Sequence, residues 1–346
     1  MGLGEDLRSF AAMLDYLKIS FSVIDVPTDV QGKLKVSWKC LTTEDYETSI
    51  FFMAPMECQK LADAHPRLFD KDKKKIGYFL WELPDFPDHF IPALQLVDQI
   101  WCPTRFVQQT FFKKSKQLVL TLPLPVVQQA PSGKNFRLEN SIPDNAFVVL
   151  FMFDLHSTMK RKNPEAVLRV FAEFTQKYPD SYLLLKVNRW QNMGTNALSW
   201  IPKHPRIKLI KESLEPSHLS DLYKSSDCYL SLHRSEGFGR TLVEALQHGL
   251  HVISTDYSGP RDFLTDKNSF LVDWHLINAL PQDYPHLKQK SAWAEPNEAS
   301  ALSQLNKAYL QRQLNGPNKQ GIKDGEKFTF EALASKYAPI LKTYLR

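Results

Sequence analysis

The stretch with the most chemical potential is His233-Arg234-Ser235-Glu236-Gly237-Phe238-Gly239-Arg240-Thr241, which follows the apolar run Cys228 to Leu232 and opens at once onto a helical pattern. Glycines let the backbone approach a ligand closely, and the free amides and positive dipole end of a helix favour phosphate. An ordinary strand-to-helix turn has the same composition, and a lone Gly-x-Gly does not separate the two readings. Glu244 poses a similar choice. Leu242, Val243, Ala245 and Leu246 share one face of the helix, while Arg240, Glu244, Gln247 and His248 share the other. Glu244 is therefore either a polar-face carboxylate paired to Arg240 four positions earlier or a ligand contact. Lys160-Arg161-Lys162 gathers positive charge and reads, on its own, as a solvated basic turn. Asp70-Lys71-Asp72 has the Asp-x-Asp spacing of metal-dependent transferases of a different fold, but it runs into Lys73-Lys74-Lys75 and reads as a solvated loop. The histidines show no metal-ligand spacing and no Ser/His/Asp order stands out, so neither a metal nor a cofactor is expected.

These residues need strands and helices to hold them. Ala146 to Phe153 reads as a buried strand, and Asn163-Pro164 opens a helix carrying Val167, Val170, Phe171 and Phe174 at helical spacing. Strands at Tyr182 to Val187, Arg206 to Ile210, Cys228 to Leu232 and Leu250 to Thr255 alternate with helices from Ser217 and over Arg240 to His248. That alternation predicts a parallel, doubly wound α/β sheet, in which ligands bind beyond the carboxyl ends of the strands. The first half alternates less cleanly. A helix is expected over Leu7 to Leu17, and strands at Ser20 to Val26, Ser49 to Met53, Lys75 to Phe79 and Gln99 to Cys102. Pro123 to Pro143 is the expected linker.

The chain of 346 residues suits about two domains. Its 43% hydrophobic and 23% charged residues are those of a globular protein, and a net charge of +5 is too small and dispersed for a nucleic-acid binder. Cys40, Cys58, Cys102 and Cys228 lie far apart, which reads as reduced thiols in the cytoplasm. The longest apolar run, Phe147 to Phe153, is far short of a membrane span, and Met1 to Asp6 lacks the pattern of a signal peptide. Phe106, Val107, Phe111 and Phe112 followed by Lys113, Lys114 and Lys116 form a basic amphipathic segment. Such a helix either packs on its own domain or rests on an anionic membrane, here the inner face of the cytoplasmic membrane.

Taken in order, several motifs resemble the retaining glycosyltransferases of family four (glycosyl transferases group 1, surface-polysaccharide and lipopolysaccharide biosynthesis type). Glu236-Gly237-Phe238-Gly239 and Glu244-Ala245 carry seven residues between the glutamates. His248-Gly249, Val252 to Thr255, Ser258-Gly259 and Asp262-Phe263-Leu264 follow in register. Further matches are Arg161-Lys162-Asn163-Pro164, Gly77 to Leu83, Val97-Asp98, Trp101 to Phe106 and Trp293-Ala294-Glu295-Pro296. The resemblance implies a GT-B fold: two Rossmann-like, doubly wound parallel-sheet domains facing a cleft. Residues 1–130 would form the acceptor-side domain, 144–325 the nucleotide-sugar domain, and 326–346 a helix returning to the first. Relatives that open with Gly-Leu-Gly-Glu-Asp have a strand before it, so the first strand is expected to be missing and Gly2 to Gly4 to form a glycine loop.

By the same resemblance, the chain is a hexosyltransferase that moves a sugar from a nucleotide-sugar to a saccharide or lipid-linked glycan acceptor, with no metal. Glu244 would hold the ribose hydroxyls and Glu236 the donor sugar. The backbone of Gly237, Phe238 and Gly239 would lie against the sugar and diphosphate, where the helix start at Arg240 and Thr241 follows. Lys162, with Arg161 beside it, would neutralise the leaving diphosphate. The family's second cation falls at Asp154-Leu155-His156, so Arg161, Arg234 and Lys186 are the substitutes. Glu82 either orients the acceptor, or serves as a base, or is a structural turn carboxylate. Two alternatives remain: a nucleotide-sugar epimerase of the same fold, and a non-catalytic glycosyltransferase-like partner subunit.

Overall fold

A helix that carries the chain back to the end of the sheet where the previous strand began makes the next strand parallel to it. The computed structural model has two parallel sheets and describes residues 2–24, 46–155, 157–189, 198–284 and 286–345. The chain divides into two compact units: residues up to Val127 together with those from Lys327, and Gln128–Glu326.

In the first unit, helix α1 (Gly2–Tyr16) is followed by β1 (Thr48–Phe52), α2 (Pro55–Ala64), β2 (Lys74–Tyr78), α3 (Ile91–Leu94), β3 (Gln99–Cys102), α4 (Arg105–Phe112) and β4 (Leu118–Thr121). Among the described residues the strands make one parallel sheet in the order β1-β2-β3-β4. Residues 2–4, expected as a glycine loop, instead form the first turn of α1, a helix anchored by Phe10, Met13 and Leu14 in the core of its unit. Residues 20–24 of the expected strand Ser20 to Val26 adopt no regular structure, and its remainder, with Cys40, lies outside the described residues. Thr104 caps α4 by accepting from the Val107 amide at 3.4 Å. Val107 and Phe111 are fully buried, so the apolar face of α4 serves its own unit, while Phe112 is 73% exposed.

The second unit runs α5 (Phe136–Glu139), β5 (Phe147–Asp154), α6 (Met159–Lys162), α7 (Pro164–Lys177), β6 (Ser181–Asn188), β7 (Ile207–Ile210), α8 (Pro216–Lys224), β8 (Cys228–Ser231), α9 (Arg240–Gln247), β9 (His251–Thr255), β10 (Ser269–Val272), β11 (Trp274–Ala279), β12 (Ser291–Pro296), α10 (Glu298–Asn315) and α11 (Lys319–Gly325). The terminal helix α12 (Phe330–Tyr344) belongs to the first unit, where Leu333, Tyr337 and Leu341 join Phe10, Ile76 and Trp101 in one core. The six-stranded sheet is parallel throughout, with strand order β10-β9-β8-β5-β6-β7. Every residue of β5 is buried, as a central strand covered on both faces requires. The chain winds outward from β5 to β7 and then returns to start again at β8. The point where the order reverses therefore lies between β5 and β8, and crevices at such points take ligands. The expected linker Pro123 to Pro143 contains α5. The turn at Lys160 to Lys162 is a short helix, and Asn163 after it is left-handed (φ 53°), making no side-chain cap to α7.

Candidate active site

The loops leaving β5 and β8 meet at the switch point. After β5, the carbonyl of Thr158 accepts from the amides of Arg161 (3.0 Å) and Lys162 (3.1 Å), which turns both side chains out of α6 together. After β8, Gly239 (φ 89°) lets the loop enter α9. A side chain on Gly259 would place its Cβ 2.2 Å from the carbonyl oxygen of Gly237, so the β9 loop can press on the β8 loop only with glycine there. Two bonds fix Glu236 at this contact: its amide donates to Ser258 Oγ at 2.8 Å, and its carbonyl accepts from the Gly259 amide at 2.9 Å.

The side chain of Glu236 is the centre of the cluster. Lys162 Nζ donates to its Oε1, and Arg161 Nη1 stands 3.0 Å from its Oε2 while donating to the Ser235 carbonyl at 2.9 Å. Burial would raise the Glu236 carboxyl, but the charges of Lys162, Arg161 and His233 outweigh it and hold the group down to about 2. It is a carboxylate throughout the physiological range. Arg161 is buried, whereas the Lys162 side chain keeps 20% of its surface open to solvent. Below them, His233 is fully buried. One ring nitrogen lies 3.0 Å from Ser231 Oγ and the other 3.4 Å from the Tyr257 carbonyl. Burial drives its imidazole down to about 4, against the pull of Glu236 and aided by Lys162 and Arg161, so at neutral pH it is uncharged.

The remaining sequence candidates occupy several places. Arg234 turns away from the cluster and grips Glu295 of β12 through Nε (2.6 Å) and Nη2 (2.9 Å), with its guanidinium over the Trp293 ring at 5.8 Å. Its amide donates to the Arg161 carbonyl at 2.8 Å and its Nη1 to the Lys160 carbonyl, so it braces the turn that carries the cations. Lys186 is buried in β6 and donates to Asn188 Oδ1 at 2.5 Å; burial takes its amine down to about 8, opposed by Glu212 and Asp154. At the site expected for a second cation, Asp154 pairs with Arg189 at 2.7 Å, and His156 lies outside the described residues. Phe238 is buried, with its ring against Phe263. On α9, Glu244 accepts a hydrogen bond from Tyr223 of α8 at 2.6 Å, and Arg240 and Thr241 form the first turn. Glu82 belongs to the first unit, in the loop after β2, and Asp70 and Asp72 are exposed in the turn before that strand.

Ser258, Tyr223, His233, Arg189 and Glu295 went unassigned in the sequence. Ser258 and Glu295 sit inside motifs that point to this region and His233 heads the stretch that runs into the glycine loop, while Tyr223 and Arg189 carry no local pattern that marks a site.

Residues 134–283, which hold most of this site, match the family model of glycosyl transferases group 1. No curated protein sequence matches the chain. Among solved structures it is similar to the pneumococcal O-GlcNAc transferase GtfA in complex with UDP and GlcNAc, at 16% identity and a TM-score of 0.61 over 86% of this chain and 57% of that one. It is also similar to a variant of S. aureus TarM in complex with Fondaparinux, alpha-GlcNAc-glycerol and UDP, at 13% identity and a TM-score of 0.61 over 86% of this chain and 56% of that one. Anabaena HepE in complex with UDP and glucose aligns at 15% identity and a TM-score of 0.63, over 86% of this chain and 78% of that one. The chain spans little more than half the length of the first two. The fold is GT-B, that of group 1 glycosyltransferases, built from two Rossmann-like parallel-sheet units.

Proposed function

We propose that the chain is a retaining, metal-independent hexosyltransferase that moves a sugar from a nucleotide-sugar donor to a saccharide or lipid-linked glycan acceptor in the cytoplasm. The observation that carries this reading is the meeting of Lys162, Arg161 and Glu236 at the carboxyl edge between β5 and β8, inside the stretch that matches the family model. Negative charge builds on the diphosphate as its bond to the sugar breaks, and a cation already in place lowers that barrier. Lys162 is the cation that solvent reaches; Arg161, buried, holds Glu236 behind it. The amides of Gly237, Phe238 and Gly239 and the first turn of α9 at Arg240 and Thr241 favour the same anion. Glu236 takes the donor sugar and Glu244 the ribose hydroxyls.

On this reading the bond from the anomeric carbon to phosphate breaks as the acceptor oxygen bonds to that carbon on the same face. The acceptor's proton passes to the departing phosphate oxygen, and Glu82 orients the acceptor. UDP is the first nucleotide to test, because the GtfA, TarM and HepE structures carry it. Incubation with UDP-sugars and a panel of glycan acceptors, chelator present, is expected to consume donor only when acceptor is supplied and to keep the anomeric configuration. Epimerised donor without acceptor would indicate the epimerase, and no turnover with any donor the partner subunit. The lipid-linked acceptor draws on exposed Phe112 and Leu118 flanking Lys113 and Lys116. Running the same assay on anionic vesicles tests it, since sedimentation with them is expected and background sedimentation removes the membrane from the account. No helix among the described residues is long and apolar enough to cross one.

A further inference from the structure

Tyr223 is fully buried in α8, where a phenol must spend its proton on an internal partner. That proton goes to Oε2 of Glu244, at 2.6 Å, with the Thr241 carbonyl a more distant second acceptor at 3.3 Å. The ring cannot swing away, because it stacks on the His248 imidazole with centroids 4.8 Å apart and planes 19° apart. His248 is in turn held by a ring nitrogen 2.8 Å from the Glu244 carbonyl and another 3.0 Å from Ser220 Oγ. Burial and the neighbouring carboxylate push the phenol well above its ordinary range, so Tyr223 stays a donor at every working pH.

A carboxylate that accepts from two adjacent ribose hydroxyls must present its plane in one orientation, and each hydrogen bond that holds the side chain narrows the orientations it samples. We infer that Tyr223 is a positioning residue for nucleotide recognition: by fixing one oxygen of Glu244 from inside the fold, it sets the carboxylate to read the ribose diol, and thereby selects ribonucleotide over deoxyribonucleotide donors. This inference rests on the reading of Glu244 as the ribose ligand. The Tyr223–Glu244 bond then does more than tie α8 to α9: it holds one carboxylate oxygen and so limits the orientations the group can present.

The test is calorimetric titration of UDP and 2′-deoxy-UDP into the full chain and its Tyr223→Phe, Glu244→Ala and double variants. Wild type is expected to prefer UDP by roughly tenfold, the worth of a charge-assisted hydrogen bond. Tyr223→Phe, which keeps the ring and its stack, should cut that preference by roughly threefold to fivefold, and should add nothing once Glu244 is alanine. If Tyr223→Phe weakens both ligands equally and keeps the wild-type ratio, Tyr223 is a structural tie only and the inference is wrong. If wild type binds both ligands equally well, the role given to Glu244 fails first and the inference falls with it. Binding of neither ligand overturns the UDP reading, and this inference too.

Discussion

Glu236 pairs with Lys162 and Arg161, so the cation that the proposed function gives to a diphosphate already has an anion. Such a carboxylate satisfies two cations whose isolation in the fold would be costly. It also competes with phosphate for Lys162, so the site should grip a bare diphosphate less tightly than its charge suggests. The histidine beneath it imposes a pH dependence of its own. The unfolded imidazole of His233 takes up a proton near its ordinary value of 6.5, while burial delays protonation in the fold to about 4. The unfolded state therefore holds more protons between these values, and stability falls as pH drops from 6.5 towards 4, by up to about 3 kcal/mol. Urea unfolding at pH 7, 5.5 and 4.5 should show this loss in wild type and a smaller one in His233→Gln; equal losses in the two proteins would refute the assignment.

At the scale of elements, the site depends on three loops being able to touch. The β9 loop presses on the β8 loop at Gly259, and Ser258 before it is left-handed (φ 64°) so that its hydroxyl can meet the Glu236 amide. A methyl at 259 has backbone in its way, not a flexible side chain, so Glu236 and Gly237 must move. Gly259→Ala should lower stability by about 1–3 kcal/mol and weaken nucleotide binding beyond what a stability-matched core variant does. Unchanged binding would show that the loop contact does not set the site. The sequence made these elements legible, because apolar runs such as Phe147 to Phe153 and the face Leu242, Val243, Ala245 and Leu246 report burial directly, and all of them are buried. It was silent on pairings made across the fold. Arg234 stands two residues from Glu236 in sequence, yet its charge goes to Glu295, sixty-one positions on. Helical spacing offered Arg240 as a partner of Glu244, but nothing along that helix marks Tyr223, on another helix, as a donor to the same carboxylate. Local spacing records neighbours along one element and nothing of which element packs beside it.

At the scale of the whole molecule, the strand order β10-β9-β8-β5-β6-β7 turns two segments 74 residues apart, at Lys162 and Glu236, into one site. Alternation of strands and helices predicts a parallel sheet but not the position of its reversal, which only the assembled order reveals. The motifs Arg161-Lys162-Asn163-Pro164 and Glu236-Gly237-Phe238-Gly239 were legible as letters; their contact was not. The central claim is that this contact is a diphosphate site. Titration of UDP into wild type, Lys162→Ala and Glu236→Gln tests it most directly. Lys162→Ala should bind at least roughly tenfold more weakly, the loss of a hydrogen bond to a charged group. Glu236→Gln should bind a few-fold to roughly tenfold more tightly, because a like charge and a competitor for Lys162 are both removed. Opposite shifts in the two variants are the predicted result; affinities equal to wild type in both would contradict the account.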